Sequence, residues 1–243
     1  TGDIAKINCI DISDKPRFAW RGLMLDVSRH FFTKQEVKRF IDLMAEYKYN
    51  VFHWHLSDDQ GWRVEIKSLP RLTDVGAWRA PRVGNWWERE PQSVTDSLTY
   101  GGFYTQDDIR EVVEYARERF ITVVPEIDVP GHSMALLTAY PEISCTGGPF
   151  HVNVGNTFYT KEENSLCVGK EKTFAILDMI FDELVDLFPS SYIHIGGDEC
   201  YKGFWAKCPD CRARMSSKQL QNVEELQSYF VKRVASHIPV SYT

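Results

Sequence analysis

Residues 33–59, TKQEVKRFIDLMAEYKYNVFHWHLSDD, contain the pattern that decides the fold. Thr33 followed by Glu36 is a capping box, which marks the start of a helix, and apolar residues then recur at helical spacing. The run VFHWHL at 51–56 follows, and it is apolar enough for a strand that is buried on both faces. The stretch therefore predicts a helix that leads into a buried strand, and the strand ends next to Asp58.

The same alternation of helix and strand recurs along the chain. Further apolar runs predict strands at 20–27, 121–133 and 192–197. Further helical patterns lie at 105–120, 170–188 and 223–238. Strands that read as continuous apolar runs and alternate with helices are typical of a parallel sheet with both faces covered. We therefore predict an α/β fold.

Polar side chains follow each of the four predicted strands. In chain order they are Asp26, Arg29 and His30; His55, Asp58 and Asp59; Glu126, Asp128 and His132; and Asp198 and Glu199. The carboxyl ends of parallel strands meet at one edge of a sheet, where α/β barrels and open α/β sheets build their active sites. We therefore expect these side chains to form one shared active site.

Composition and motifs exclude several classes of function. The net charge of −6 over 243 residues disfavours nucleic-acid binding, which needs a basic surface. No apolar run approaches the ~18 residues of a membrane span, so none is predicted. No dinucleotide-binding, phosphate-loop or nucleophile-elbow motif occurs, and no cofactor is predicted. His53 and His55 share a strand face, but strand histidines inside a barrel are more often hydrogen-bonded than metal-bound, so no active-site metal is predicted.

The six cysteines leave two interpretations open. They are Cys9, Cys145, Cys167, Cys200, Cys208 and Cys211. Cys208 and Cys211 form a CxxC pair, but no second CxxC accompanies it, so a zinc site completed by Cys200 and one more ligand is disfavoured. A local disulfide or free thiols are the preferred interpretation. Cys145 and Cys167 bracket a loop, and a disulfide between them is plausible in an oxidising compartment.

The adjacent carboxylates of Asp198 and Glu199 set the expected chemistry. Paired carboxylates in a chain with 13% aromatic residues suggest glycoside hydrolysis, which needs two such groups about 5 Å or more apart across the sugar. Neighbours at the end of a strand point in different directions and make a poor acid and nucleophile pair. We therefore expect one of them to be the acid and the other to hold a substrate group.

Five motifs closely resemble the catalytic domain of glycoside hydrolase family 20, the β-N-acetylhexosaminidases, and look most like the bacterial members. In order they are PRFAWRGLMLDVSRHF, YNVFHWHLSDDQGWRVEI, YGGFYTQDDIREVVEYA, VPEIDVPGHS and YIHIGGDEC. The resemblance covers about 16–238. It implies a TIM-type (β/α)8 barrel, of which this chain supplies about the first four β/α units.

The resemblance also assigns roles to individual residues. It implies that the substrate's own 2-acetamido group is the nucleophile, that Asp198 holds and stabilises this group, and that Glu199 is the general acid and then the base. His132 matches the histidine beside the acid, and Asp58 matches the aspartate behind that histidine. Arg29 matches the arginine that binds the sugar's 3- and 4-hydroxyls, and its planar donor fork suits a vicinal diol.

Supporting positions are expected around these five residues. Asp128 is expected behind the residues that touch the sugar. Trp62, Trp86 and Trp87 are weaker candidates for stacking on sugars further out.

We predict that residues 1–243 are a single, partial catalytic domain without the small domain that usually precedes the barrel and without the later barrel units. The substrate is expected to be a glycan with a terminal N-acetylhexosamine, and the remaining barrel segment or a second copy of the chain is the expected partner. The localisation implied is periplasmic or extracellular, although no signal peptide is visible. The alternatives are a disaccharide-releasing relative and an inactive half barrel that at most binds sugars.

Overall fold

The computed structural model describes residues 9–82, 95–154 and 163–238. Its strands are β1 (Gly22–Asp26), β2 (Val51–His55), β3 (Ser57–Asp58), β4 (Gly61–Trp62), β5 (Trp78–Arg79), β6 (Tyr100–Gly101) and β7 (Thr122–Glu126). Its helices are α1 (Lys34–Glu46), α2 (Arg71–Asp74), α3 (Gln106–Arg117), α4 (Met134–Ala139), α5 (Glu171–Leu187), α6 (Gly203–Lys207), α7 (Pro209–Ser217) and α8 (Val223–His237). The four predicted helices and the first three predicted strands are present in the predicted order.

Three parallel strands form the central sheet, in the order β1-β2-β7. Asp26 of β1 lies beside His55 of β2, and His55 lies beside Glu126 of β7, so the three strands end level with one another. The polar residues that follow the strands are thereby brought to one edge of the sheet, as the sequence predicts.

The predicted fourth strand at 192–197 is shorter than expected. His194 forms a single parallel bridge with Glu126, and its amide donates to the carbonyl of Pro125 at 2.9 Å. Gly196 and Gly197 then have φ values of +67° and +104°, outside the extended region, so regular pairing cannot continue. The chain turns here, directly before the two adjacent carboxylates.

Helices cover one side of the sheet and begin where the sequence places their caps. Thr33 and Thr105 both form complete capping boxes, with Glu36 and Asp108 as partners. Trp54 of β2 is fully buried on the helical side, where its ring packs among aromatic side chains. None of the helices within 9–82, 95–154 and 163–238 is both long and apolar enough to cross a membrane.

A buried arginine, which no sequence pattern singles out, organises the loops that follow β1 and β2. Arg63 is fully buried, and its guanidinium donates to backbone carbonyls that include those of Val27, Ser28 and Ala77, at 2.7–3.0 Å. Five donors in a planar fork can hold several carbonyls at once, which an ammonium group cannot do in the same geometry. Arg63 therefore fixes the backbone that leads directly into Arg29.

Candidate active site

Asp58 lies at the centre of a charged network at the carboxyl edge of the sheet. Its carboxylate is fully buried and accepts from Arg29 Nη1 at 2.7 Å and from His55 Nε2 at 2.9 Å on one oxygen. Its other oxygen accepts from His132 Nδ1 at 3.2 Å and from the Asp59 amide at 2.7 Å. A buried carboxylate requires paired donors of this kind, because it is otherwise costly to remove from water.

His132 connects this buried aspartate to Glu199. Its Nε2 atom lies 3.5 Å from Glu199 Oε2 and has no hydrogen-bond partner within the described residues. Burial acts to lower the pKa of His132, but the hydrogen bond and the charge of Asp58 raise it to about 9. Catalytic hydrogen bonds are often long without substrate, and this geometry presents an imidazole proton toward the half-exposed Glu199 carboxylate.

Glu126, one of the polar strand-end residues expected at the shared site, extends the network on the other side, although the resemblance assigns it no individual role. Its carboxylate contacts three imidazoles: His53 at 2.7 Å, His55 at 2.5 Å and His194 at 2.9 Å. Burial acts to raise the pKa of Glu126, but the hydrogen bonds from these histidines hold it well below its usual range. Glu126, His55 and Asp58 therefore form a continuous buried chain of alternating charge.

His55 is the link in that chain. Burial acts to lower its pKa, but hydrogen bonds to Asp58 and Glu126 raise it to about 10. The sequence places His55 and Glu126 at strand ends, yet only the level register of β2 and β7 shows that they pair. The hydrogen bonds of His53 and His55 to Glu126 agree with the expectation that these histidines are hydrogen-bonded.

Two further buried aspartates support the loops that carry the site. The Asp128 carboxylate accepts from the Gly197 amide at 3.1 Å, and a side chain at Gly196 would overlap it, since a Cβ there would lie 1.8 Å from Asp128 Oδ1. Burial, together with the charges of Asp198 and Asp58, raises the pKa of Asp128 to about 7 against an opposing effect of His132. Gly196 is therefore required for the turn to pass over Asp128.

Asp59 performs a similar task for the loop that carries His132. Its two oxygens accept from the Met134 amide at 3.0 Å and from Asn164 Nδ2 at 3.1 Å. Burial and the neighbouring Asp58 charge raise the pKa of Asp59 to about 6. The backbone of His132 itself has a φ of +48°, and this pair of hydrogen bonds holds the turn directly after it.

The two adjacent carboxylates point to different neighbours. Glu199 has a φ of +44°, and its side chain approaches His132. A carboxylate oxygen of Asp198 lies within 4.8 Å of both the Asp128 carboxylate and the His132 ring. The side-chain amide of Gln227, on α8, donates to the carbonyl of Gly197 at 2.8 Å and so supports the turn before the two carboxylates. The positive φ at Glu199 separates the directions of the two side chains, so each can contact a different part of one ligand.

The structure brings all five predicted site residues to one edge of the sheet. Arg29, Asp58, His132 and Glu199 follow one another at 2.7, 3.2 and 3.5 Å, and Asp198 flanks them. His55 and Glu126, which the sequence analysis places at the shared site without an individual role, join the same network. Their roles in catalysis, like those of the five, stay predictions.

The prediction of sugar stacking by Trp62 is wrong. Its ring is buried at 1% exposure, and its Nε1 donates to the Val64 carbonyl at 2.6 Å. The other two candidates, Trp86 and Trp87, lie outside the described residues.

The pH dependence of stability follows from the raised imidazole pKa values. A group with a raised folded pKa stabilises the fold fully below its unfolded pKa, about 6.5 for histidine. The contributions of His132 and His55 are then lost as pH rises through about 9 and about 10. We expect Asp58→Asn to lower the free energy of unfolding by about 3–5 kcal/mol near pH 6, because it leaves the buried cations without their partner. The loss should shrink toward pH 10.

Urea unfolding of both proteins at several pH values measures this difference. Asp107→Asn is the control, because that carboxylate is 93% exposed and pairs with Arg110 on the surface of α3. A destabilisation by Asp58→Asn that is independent of pH between 6 and 10 would contradict the charge network.

Comparisons with known proteins agree with this geometry. The family described as "Glycosyl hydrolase family 20, catalytic domain" matches residues 18–241. A beta-hexosaminidase of Porphyromonas gingivalis is 45% identical over 92% of this chain, and one of Vibrio furnissii is 46% identical over 95% of it. The chain spans 27% and 37% of the lengths of these two relatives.

A solved structure supports the same relationship. The exo-β-N-acetylglucosaminidase of Vibrio harveyi, solved in complex with N-acetylglucosamine, superposes with a TM-score of 0.79 at 41% identity. The alignment covers 94% of this chain and 35% of that one. Structures of this kind imply a TIM-barrel catalytic domain, of which this chain covers a part.

Proposed function

The chain belongs to glycosyl hydrolase family 20 and matches its catalytic domain, and we propose that the protein containing it is a retaining exo-β-N-acetylhexosaminidase. Its substrates are glycans that end in GlcNAc or GalNAc. The observation that carries this proposal is the continuous line from Asp58 through His132 to Glu199, with Arg29 on the same aspartate. We also propose a periplasmic or extracellular location for the whole protein.

The proposed reaction uses the substrate as its own nucleophile. The carbonyl oxygen of the 2-acetamido group forms a bond to C1 as the bond from C1 to the leaving oxygen breaks. Glu199 gives its proton to that leaving oxygen, and the sugar is left as an oxazolinium ion. Water then attacks C1 and gives a proton to Glu199, and the bond between C1 and the acetamido oxygen breaks, which restores the 2-acetamido group on the product sugar. Two displacements at C1 give net retention of configuration.

Asp198 is proposed to stabilise the charge that develops on the acetamido group. The acetamido N–H becomes more acidic as the ring closes, and a fixed carboxylate that accepts this hydrogen bond stabilises the transition state more than the ground state. Asp198 lies on the exposed side of the turn, near His132 and Asp128, where a sugar can reach it. This division of labour explains why two carboxylates are adjacent in sequence.

Arg29 is proposed to hold the non-reducing end of the sugar. Its guanidinium is tied to Asp26 and Asp58 by Nη1, at 3.1 and 2.7 Å, while 36% of the side chain stays exposed. The same carboxylate of Asp58 therefore orients the sugar-binding cation and the imidazole beside Glu199. A hydroxyl pair bound to Arg29 would be positioned relative to the acid through one buried group.

The inner side of the sheet supports the proposal that further barrel segments complete the pocket. A concavity of about 380 Å³ opens there, and it is lined by side chains that include Met24, His53, Val124 and His194. Met24 of β1 is 49% exposed although it is apolar and lies on a strand of the parallel sheet. Later β/α units of the same protein would cover these apolar atoms, and a second copy of the chain is the alternative occupant.

Hydrolysis of p-nitrophenyl β-N-acetylglucosaminide by the full-length protein tests this function. We expect turnover that is blocked by a thiazoline analogue of the cyclised intermediate, and a product that is first released as the β-anomer. Turnover without thiazoline inhibition would contradict the substrate-assisted route. Release of a disaccharide from longer glycans, without cleavage of the monosaccharide substrate, would instead identify the disaccharide-releasing relative.

A further inference from the structure

Four cysteines that are far apart in sequence meet in one cluster behind the active site. Cys145 follows the turn after α4, Cys167 lies four residues before α5, and Cys208 and Cys211 belong to the start of α7. Three of the four side chains are buried, and Cys145 is partly buried. The cluster supplies the second pair of ligands that the CxxC motif lacks in the sequence.

The distances between the sulfur atoms match a tetrahedral metal site. The Sγ atoms of Cys167 and Cys211 are 3.6 Å apart, those of Cys167 and Cys208 are 3.7 Å apart, and those of Cys145 and Cys211 are 3.8 Å apart. All four lie within 4.8 Å of one another. Zn–S bonds of about 2.3 Å in a tetrahedron require S···S separations of about 3.8 Å.

Disulfide bonds do not describe this arrangement. A disulfide needs sulfur atoms about 2.05 Å apart, and all six cysteines are free thiols in the structure. The disulfide between Cys145 and Cys167 that the sequence analysis left plausible is not present in the structure. Each of these sulfurs has its neighbours at similar distances, so the four form one group and not two pairs.

We propose that Cys145, Cys167, Cys208 and Cys211 bind one structural zinc ion. Four soft thiolate ligands in a tetrahedron select Zn²⁺, and a site in which all four positions are filled by protein holds a structural ion, not a catalytic one. This replaces the sequence-based preference for a local disulfide or free thiols at the CxxC motif.

The backbone around the cluster is built for close approach of the ligand segments. A Cβ on Gly169 would lie 2.1 Å from the backbone carbon of Asp210 and 2.4 Å from the amide nitrogen of Cys211. Only glycine therefore lets the segment that carries Cys167 pack directly on the CPDC turn. The start of α7 also places amide groups and the positive end of a helix near thiolate ligands.

The Lys170 ammonium supports the loop that carries Cys145. The Lys170 ammonium donates to the carbonyls of Glu142 and Ser144, at 3.0 and 2.7 Å, and Ser144 directly precedes Cys145. Four thiolates around Zn²⁺ carry a net charge of −2, and a nearby ammonium offsets part of it. Lys170 therefore positions the Cys145 loop and complements the charge of the loaded site.

The position of the cluster explains what the ion would do. The Leu166 amide, next to Cys167, donates to the Pro130 carbonyl at 2.8 Å in the turn before His132. The Leu166 carbonyl accepts from Trp205 Nε1 at 2.8 Å, in the helix between Glu199 and Cys208. The ion would therefore fix to each other the two loops that carry His132 and Glu199, without touching either residue.

Metal analysis of the full-length protein, purified without chelators, tests the zinc site. We expect one zinc per chain, and a fall of about ten-fold or more in Cys211→Ser and Cys208→Ser. Cys200→Ser is the matched control, since Cys200 is also buried but lies outside the cluster, and it should keep the zinc. Zinc that persists in the two cluster variants would overturn the proposal.

Cobalt substitution gives a readout that does not depend on the variants folding. Wild-type protein loaded with Co²⁺ should show the visible d–d bands and the thiolate-to-cobalt charge-transfer absorption of tetrahedral tetrathiolate coordination. Mass spectrometry of the unreduced wild-type protein separates the alternatives. A disulfide that peptide mapping locates at any of the four cluster cysteines, or free titration of these four thiols with no metal bound, would overturn the zinc site. Neither result depends on glycosidase activity.

Discussion

Glu199→Gln in the full-length protein is expected to lower the hydrolysis of N-acetylglucosaminides with poor leaving groups by about 100- to 10,000-fold. Glutamine keeps the size of the side chain but has no proton to give to the leaving oxygen. The side chain is 53% exposed and makes its close contact with His132 at 3.5 Å, so the change should leave the fold intact. Steady-state kinetics with alkyl and p-nitrophenyl glycosides measures the effect.

A comparison of substrates with good and poor leaving groups distinguishes the loss of the general acid from general damage to the active site. A p-nitrophenolate departs with little help from an acid, so its glycoside should lose much less rate than an alkyl glycoside. Glu224→Gln is the matched control, because this glutamate is 70% exposed and pairs with Lys202 at 2.9 Å. Near-normal turnover of alkyl glycosides by Glu199→Gln would remove Glu199 from the acid–base role.

Asp198→Asn is expected to reduce kcat by about 100- to 1,000-fold, the range typical for loss of one group that stabilises transition-state charge. The carboxylate is exposed within the described residues, so its loss should cost little stability. Asparagine can still form a hydrogen bond but cannot balance the positive charge of the oxazolinium ion. Kinetics and thermal unfolding of the same samples measure both quantities.

A comparison of inhibitor binding sharpens this second test. The thiazoline analogue resembles the cyclised intermediate, so its affinity should fall in Asp198→Asn more than the affinity for the product sugar. Asp186→Asn, an exposed carboxylate on α5, is the control and should change neither. If Asp198→Asn instead loses stability and keeps kcat, the carboxylate is structural.

The local elements of this protein were determined by short-range sequence signals. The capping boxes at Thr33 and Thr105 place the starts of α1 and α3 because the cap hydrogen bonds involve residues only three apart. The apolar run at 51–56 identifies β2 for the same local reason. The resemblance carried by motifs such as YIHIGGDEC is confirmed by the comparisons, and it selected five residues that the structure gathers at one edge.

Only the tertiary structure decided which distant groups share a buried environment. The Glu126–His55–Asp58 chain depends on the level register of β2 and β7, which fixes contacts between residues about 70 positions apart. The short fourth strand depends on backbone angles at two glycines that an apolar pattern does not encode.

The four-cysteine cluster is the clearest case of this limit. A search by sequence spacing finds Cys208 and Cys211 but not Cys145 and Cys167, which lie 22 residues apart by number and arrive from separate loops. Metal ligands are selected by distance in space, and the sequence encodes that distance only through tertiary packing, such as that of the segment before α5 on the start of α7. Local sequence patterns therefore determined the helices and strands and the polar residues at the strand ends. Tertiary packing decided which of those side chains lie close enough to form one site.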